Sequence, residues 1–316
     1  MTSSRLTQLL RALKELRYTF HTVTPDTHAF VNARPENALA ASVPDVLGWN
    51  RPFRPEILPP GLFELLRDAG GCESLGEGLW RPTLRVSSLN EELFLHSAFP
   101  TSEAGAVFFG PDSYRFVHAV LAAARPARRA VEVCAGTGVG GIALARRGLL
   151  ETPVLLGDIN PKALEACAVN AEAAEVRAEP IESDLLRGID SRLELDLVIA
   201  NPPYLRDSSS RTYRHGGGHF GERLSLRLVD EALTRLGQNR DGGTLLLYTG
   251  SAVVRGVDTF WVAAQPLLRE RGAVYTYQEL DPDVFGSELA EPAYAEVERI
   301  AAVFLEARME GRGRRP

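Results

Sequence analysis

The sequence predicts an α/β protein built on a doubly wound, mostly parallel sheet of seven strands. A terminal antiparallel hairpin closes the sheet, and a small α+β region precedes it. Three observations carry this expectation. From about Pro111 short apolar runs alternate with amphipathic ones over short connections, the pattern of strand–helix units in a parallel sheet. One of those runs, Val131–Cys134, breaks into a glycine-rich turn and then a helix. A second, Asp196–Ala200, ends in Asn201-Pro202-Pro203-Tyr204.

The 316 residues suggest one large domain and a smaller one. We expect an accessory, substrate-recognising region over 1–104, the main domain over 105–306 and a frayed tail over 307–316. Leu6, Leu9, Leu10, Leu13 and Leu16 recur at helical spacing, with Thr2, Ser3 or Ser4 as cap. A proline-rich stretch read as irregular runs from Pro25 to Pro60. A helix over 62–69 should stop at Gly70-Gly71. Strands over 79–86 and 92–99, joined by Ser87-Ser88-Leu89-Asn90, would form one hairpin. Helix and hairpin together read either as a winged-helix-like module or as a plain cap.

The main domain reads as a helix over 114–124, strand 130–134, helix 139–147, strand 154–158, helix 162–173 and a strand within 176–184. Strand 196–200, helix 225–236, strand 243–248, helix 261–269, strand 273–280 and strand 297–306 follow. The last two strands lack a helix between them and should pair as a hairpin at a sheet edge.

Composition narrows the function. Net charge is −6, without the basic footprint of non-specific nucleic-acid binding. No apolar run is long enough to span a bilayer, and the charged N-terminus lacks a signal-peptide core, so no membrane partner and a cytoplasmic location are expected. Cys72, Cys134 and Cys167 are far apart and form no zinc, iron–sulfur or disulfide pattern. His215 and His219 are separated by glycines that rule out a helical metal pair, so no metal is expected.

Gly136, Gly138 and Gly141 satisfy the G-x-G-x-x-G spacing, and Asp158 follows Gly138 by twenty residues at the end of the next strand. Glycine lets backbone approach a ligand closely, and the spaced acid suits ribose hydroxyls. This points to an adenosine-containing ligand. Glu132, inside the first strand, would repel the pyrophosphate of NAD, whereas the sulfonium and ammonium of S-adenosylmethionine welcome an acid. An NAD dehydrogenase is therefore the weaker enzyme reading. Asp184 offers a carboxylate near the adenine amine, or caps a short helix.

With Asn201-Pro202-Pro203-Tyr204 at a strand's carboxyl end, the chain resembles the class I, Rossmann-like S-adenosylmethionine-dependent methyltransferases that act on planar nitrogens. The resemblance covers residues 105–306. It is strongest to the release-factor glutamine methyltransferases of the HemK/PrmC type and to the small-domain ribosomal-RNA guanine N2-methyltransferases. It implies cofactor contacts at Glu132, Cys134, Ala135, Gly136, Gly138, Asp158, Ile159, Asp184, Leu185 and Asn201. It implies target contacts at Asn201, Pro202 and Tyr204. Cys134 departs from the family glycine and reads as a small filler. Asn201 and the Pro202 carbonyl would accept the target N–H bonds, and Tyr204 would stack on the planar group.

Ala106–Arg115 reads as an approach segment, with Phe108 and Phe109 either lid or core. Arg206, Arg211 and Arg214, in the loop after Tyr204, either clamp a phosphate backbone or acidic partner, or line a solvated flap. The expected substrate is a ribosomal-RNA base, slightly ahead of a glutamine in a translation protein. A small-molecule amine, or a silent S-adenosylmethionine-binding module, are the other readings. S-adenosylhomocysteine would be the product.

Overall fold

The computed structural model describes residues 2–101, 103–207, 211, 213–311 and 313. Helix α1 (Thr2–Glu15) buries Leu6, Leu9, Leu10 and Leu13, as their spacing requires. It already includes Thr2, so Ser3 and Ser4 lie in its first turn and do not cap it.

The proline-rich stretch holds two helices that the sequence reading missed, α2 (Pro25–Asn32) and α3 (Val43–Leu47). The Thr24 and Ser42 side chains accept from the Thr27 and Asp45 amides, and a proline sits in each first turn. Proline is tolerated there because that N–H has no intrahelical partner, so in this stretch read as irregular the prolines start helices. Helix α4 (Leu62–Asp68) ends as expected: Gly71 N–H reaches Leu66 O at 2.8 Å and Gly70 N–H reaches Arg67 O at 2.9 Å, with Gly70 left-handed.

The single expected hairpin is two. β1 (Cys72–Gly76) pairs with β2 (Leu79–Pro82), and β3 (Leu84–Leu89) pairs with β4 (Glu92–Ser97), both antiparallel. The first turns at Glu77-Gly78, both at positive φ, a primed turn that Glu-Gly does not advertise. Ser87, Ser88 and Leu89 belong to β3, and the turn is at Asn90.

The remaining elements follow the expected order: α5 (Pro111–Ala123), β5 (Ala130–Val133), α6 (Val139–Arg146), β6 (Val154–Asp158), α7 (Pro161–Ala173) and β7 (Ala178–Glu182). Next come β8 (Leu197–Ala200), α8 (Arg223–Leu236), β9 (Gly242–Val254), β10 (Val257–Asp258), α9 (Thr259–Arg271), β11 (Val274–Asp281) and β12 (Arg299–Glu310). The sheet order is β11-β12-β9-β8-β5-β6-β7, with β10 paired to the end of β9. Strands β7, β6, β5, β8 and β9 run parallel, while β12 is antiparallel to both β9 and β11. The terminal hairpin stands as expected. β9 and β12 are longer than expected because they pair along their whole common length, from Arg299↔Val253 to Glu310↔Gly242.

Alternation along the strands separates two cores. Leu246 and Tyr248 pack with Phe116 and Val120 of α5, while Leu245 and Leu247 pack with Leu228 of α8 and Phe260 of α9. The N-terminal helices and hairpins dock on α7: Val169 joins the cluster of Leu9, Leu13 and Leu66. Asn170, buried beside it, bonds Leu95 N at 2.8 Å and Thr137 O at 3.0 Å. One amide thus ties β4 to the glycine turn. Strand order reverses at β5, between β6 and β8, and the crevice outside the carboxyl ends there is where open α/β sheets bind ligands.

Candidate active site

The glycine turn is held from beneath by Glu132 of β5, only 2% exposed. Its carboxylate accepts the Gly140 and Gly141 amides at 3.2 and 2.7 Å, so the strand grips the start of α6. Burial pushes its pKa up to about 8, against the opposing pull of those two amides. Gly141 is required by packing: a Cβ there would lie 2.8 Å from both Leu156 and Val154. Cys134 sits at φ 55°, the left-handed backbone that favours glycine. Burial pushes its thiol pKa up, consistent with a filler.

Asp158, closing β6, accepts the Gly136 and Asn160 amides at 2.9 Å each. Burial raises its pKa as well. Asp184 follows β7, is solvent-exposed and pairs with Arg227 at 3.0 Å and Arg187 at 3.4 Å. It caps no helix, since residues 184–188 form turns.

A narrow pocket of ≈ 120 Å³ gathers Glu132, Cys134, Ala135, Gly136, Asp158, Ile159, Asp184, Leu185 and Asn201. Gly138 does not line it. That residue is the left-handed N-cap of α6 and faces Leu156 and Cys167. A larger cleft of ≈ 620 Å³ abuts the pocket, within the usual range for ligand sites of about 300–1,000 Å³. Its walls are Asn201–Leu205, the segment 283–288, α5's first turn, and Thr24–Ala29 with Phe99–Thr101 from the N-terminal region. Phe108, Asn201, Pro203 and Tyr213 line both spaces and form their junction. Among the described residues, no group bonds the Asn201 side-chain amide.

Of the expected substrate contacts, Arg211, Arg214 and Tyr204 line the cleft, whereas Phe109 and Arg206 line neither space. Phe109 is fully buried, stacked on Phe94 at 5.6 Å and His96 at 5.3 Å; it is core, and Phe108 is the ring at the junction. Tyr204 lines the cleft but is only 7% exposed. Its hydroxyl donates to Asp112, so little ring face is open for stacking. Arg206 lines neither space and donates to His219 O at 3.1 Å. Arg211 is bound to Asp207, whose carboxyl it holds down at about 2 with help from its own amide. Arg214 is ion-paired with Glu288 and, at 3.8 Å, with Asp207. Ser208, Ser209, Ser210 and Thr212 of this loop, and Arg312 and Arg314–Pro316 of the expected tail, lie outside the described residues.

Sequence reasoning missed Asp112, Tyr213 and the α2 wall. An acid in a helix's first turn reads as a dipole partner, and nothing local says that α2 reaches the cleft.

Residues 113–245 match the family described as the methyltransferase small domain. A release factor glutamine methyltransferase of Deinococcus radiodurans is 29% identical over 158 residues, 46% of this chain and 55% of that protein. One from Rhodopirellula baltica is 29% identical over 178 residues, 52% of this chain and 56% of that protein. An uncharacterized protein of Mycoplasma pneumoniae is 38% identical over 90 residues, 28% of this chain and 20% of that protein. The chain thus spans about half the length of the glutamine methyltransferases it matches. None of the described helices is long and apolar enough to cross a membrane. By sheet order and family match, residues 113–245 carry a methyltransferase small domain on a class I, Rossmann-like sheet, and the chain has distant similarity to the release factor glutamine methyltransferases.

Proposed function

We propose that this protein transfers a methyl group from S-adenosylmethionine to a planar amide nitrogen, a glutamine side chain of a polypeptide substrate. The observation that carries this reading is the position of Asn201, at the junction of the acid-lined pocket and the larger cleft. A methyl donor in the first and an acceptor in the second would meet there.

The pocket suits the cofactor. Asp158 and Asp184 line it, with Glu132 beneath as an acid that a bound cation would help to ionise, and none of its lining residues is basic. Such a site favours a sulfonium and an ammonium and disfavours a pyrophosphate. When bound, S-adenosylmethionine supplies an electrophilic methyl and leaves as S-adenosylhomocysteine. The chain's part is binding and aim. Asp158 retains lone pairs for ribose hydroxyls, and Cys134, Ala135, Gly136, Ile159 and Leu185 bring small or apolar surface around the nucleoside.

An amide nitrogen is a poor nucleophile because its lone pair is delocalised. Asn201 Oδ1 and the Pro202 carbonyl would accept its two N–H bonds, favouring the positively charged transition state in the geometry needed for in-line transfer. The prolines keep these acceptors aimed before substrate arrives. Phe108 and Tyr213, with ring planes 8° apart, offer the flat surface that Tyr204 lacks.

The charge of the cleft favours a polypeptide over an RNA substrate, the reverse of the order expected from sequence. An RNA ligand needs unpaired cations for phosphates, but Arg211 and Arg214 are neutralised by Asp207 and Glu288. Asp26 and Asp283 add negative charge at its walls. We read the region over 1–104 as the accessory, substrate-recognising part, since it supplies one wall of the cleft.

The test is incubation with tritiated S-adenosylmethionine of a lysate split into protein, ribosomal and transfer-RNA fractions. The expected label is protease-sensitive, nuclease-resistant and recovered as N5-methylglutamine after mild digestion. Label lost to nuclease and retained after protease would overturn the polypeptide assignment.

A further inference from the structure

Behind the Asn201–Tyr204 turn lies a buried network that neither pocket chemistry nor family resemblance requires. Asp112, in the first turn of α5, is 3% exposed. One carboxylate oxygen accepts the Tyr204 hydroxyl, and the other accepts the Tyr248 hydroxyl at 2.7 Å. Arg115 donates to the same carboxylate at 3.2 Å and reaches Asp281 of β11 at 2.7 Å. Every partner is a donor, so the group is read as a carboxylate although burial raises its pKa.

The network joins two elements, α5 and β9, to the turn. Tyr204 is the turn's last residue, Tyr248 belongs to β9, and Asp112 to α5. The Tyr204 ring lies on β9 at Gly250, where a Cβ would sit 2.1 Å from the ring. On the far side, Arg206 N–H donates to the Tyr294 hydroxyl at 2.7 Å. The turn is therefore held at its ring and just beyond it, while the Asn201 side chain has no partner among the described residues and lines the junction.

We propose that Asp112 is a positioning residue: by binding the Tyr204 and Tyr248 hydroxyls together it fixes the turn that aims Asn201 at the methyl acceptor. The energetic logic is that of a buried charge. A carboxylate withdrawn from water must keep its donors, so rotation of Tyr204, and with it drift of the turn, costs the hydrogen bonds that stabilise that charge. A neutral pair of tyrosines would restrain the turn far less. Asp112 touches the acceptor's cleft but acts through Tyr204. This assignment rests on the proposed function only for its catalytic consequence; the restraint itself does not.

Two measurements separate these. Hydrogen exchange is followed by mass spectrometry on peptides covering 199–207, with S-adenosylhomocysteine bound, for wild type, Asp112→Asn, Asp112→Ala, Tyr204→Phe and Tyr248→Phe. The expected result is faster exchange in that segment, about ten-fold for Asp112→Ala or Tyr204→Phe and less for Asp112→Asn, with β5 and β6 amides and S-adenosylhomocysteine affinity unchanged. Single-turnover methyl transfer is then measured on the protein fraction that wild type labels. Tyr204→Phe should lose ten-fold or more in rate, with the Michaelis constant for S-adenosylmethionine within two-fold, and Asp112→Asn should lie between. Should Asp112→Ala not fold, the two Phe variants, each lacking one hydroxyl, decide the matter. Unchanged exchange in 199–207 for both Phe variants overturns the proposal. A wild type that labels no protein fraction overturns the proposed function instead, leaving the exchange result to judge the clamp.

Discussion

Asn201 and Glu132 belong to the same crevice but do different work. Asn201 ends a buried strand and faces the junction, so truncation removes no core packing. Asn201→Ala should keep S-adenosylhomocysteine affinity within about two-fold and leave the melting temperature unchanged, while turnover falls about 10²–10³-fold, the usual loss of one preorganised transition-state partner. Calorimetry and single-turnover assays on the same preparation check this, and a wild-type rate would remove the main support for nitrogen methylation. Glu132 is a structural acid. Its folded pKa, about 8, lies above the ordinary carboxyl value of 4.5, so the folded state holds a proton that the unfolded chain has lost. Its contribution to stability is complete below pH 4.5 and fades as pH rises through 8. Wild type should therefore lose melting temperature between pH 5 and 9, and Glu132→Gln should flatten that part of the profile. The Gln variant leaves one helix-start amide without an oxygen partner, a cost of about 1–3 kcal/mol visible at pH 5.

At the scale of elements, the N-terminal region buries two histidines, His28 and His96, with no carboxylate against them among the described residues, whereas its buried Arg51 is paired with Asp45. His28 of α2 bonds the Trp49 carbonyl at 2.8 Å and stacks on Phe99 at 4.0 Å. Burial first, then Arg85, pulls its pKa down to about 4, with a smaller push from Arg51. His96 of β4, bonded to Ser87, is lowered for the same reasons. Both rings are neutral in the folded state. The depressed value means that stability is present above pH 6.5 and is lost as pH falls towards 4. We expect this region to loosen on acidification, read as a change in Trp49 emission between pH 6.5 and 4, and His28→Gln to reduce that change. Persistent Trp49 emission down to pH 4 in wild type would contradict it. Because α2 and Phe99 wall the cleft, the same titration should weaken substrate before it weakens cofactor.

Across the whole molecule, the arginines of the cleft are paired with acids and the total charge is negative. Arg211 and Arg214 are tied to Asp207 and Glu288, and the net charge is −6. A polypeptide substrate should show a Michaelis constant that changes little between 50 and 200 mM salt, these being about the limits over which phosphate contacts lose orders of magnitude in affinity. A steep log–log dependence, shallower by about one unit in Arg211→Ala, would restore the RNA reading. Arg214→Ala should instead lower stability, because it leaves the Glu288 carboxylate without its partner.

The sequence by itself determined the sheet, the glycine turn, the spaced Asp158 and the Asn201–Tyr204 motif. Each is a local pattern: apolar period along the chain, glycine where backbone must come close, proline where a turn must be stiff. β6 was legible to the residue, and nine of the expected cofactor contacts share one pocket. Locality also set the limits. The starts of α2 and α3 are themselves local, Thr24 and Ser42 capping before a proline, and were masked by the density of prolines around them. β9 runs through Gly250 only because the Tyr204 ring covers that position and β12 pairs along it. Tertiary structure alone decided that Arg211 and Arg214 are ion-paired, that Phe109 is core while Phe108 meets the junction, and that Tyr204 points at Asp112. The physical reason is common to all of these. Partners such as Asp112 and Tyr204, ninety-two residues apart, are chosen by burial, and a buried donor or acceptor takes the partner the fold brings to it.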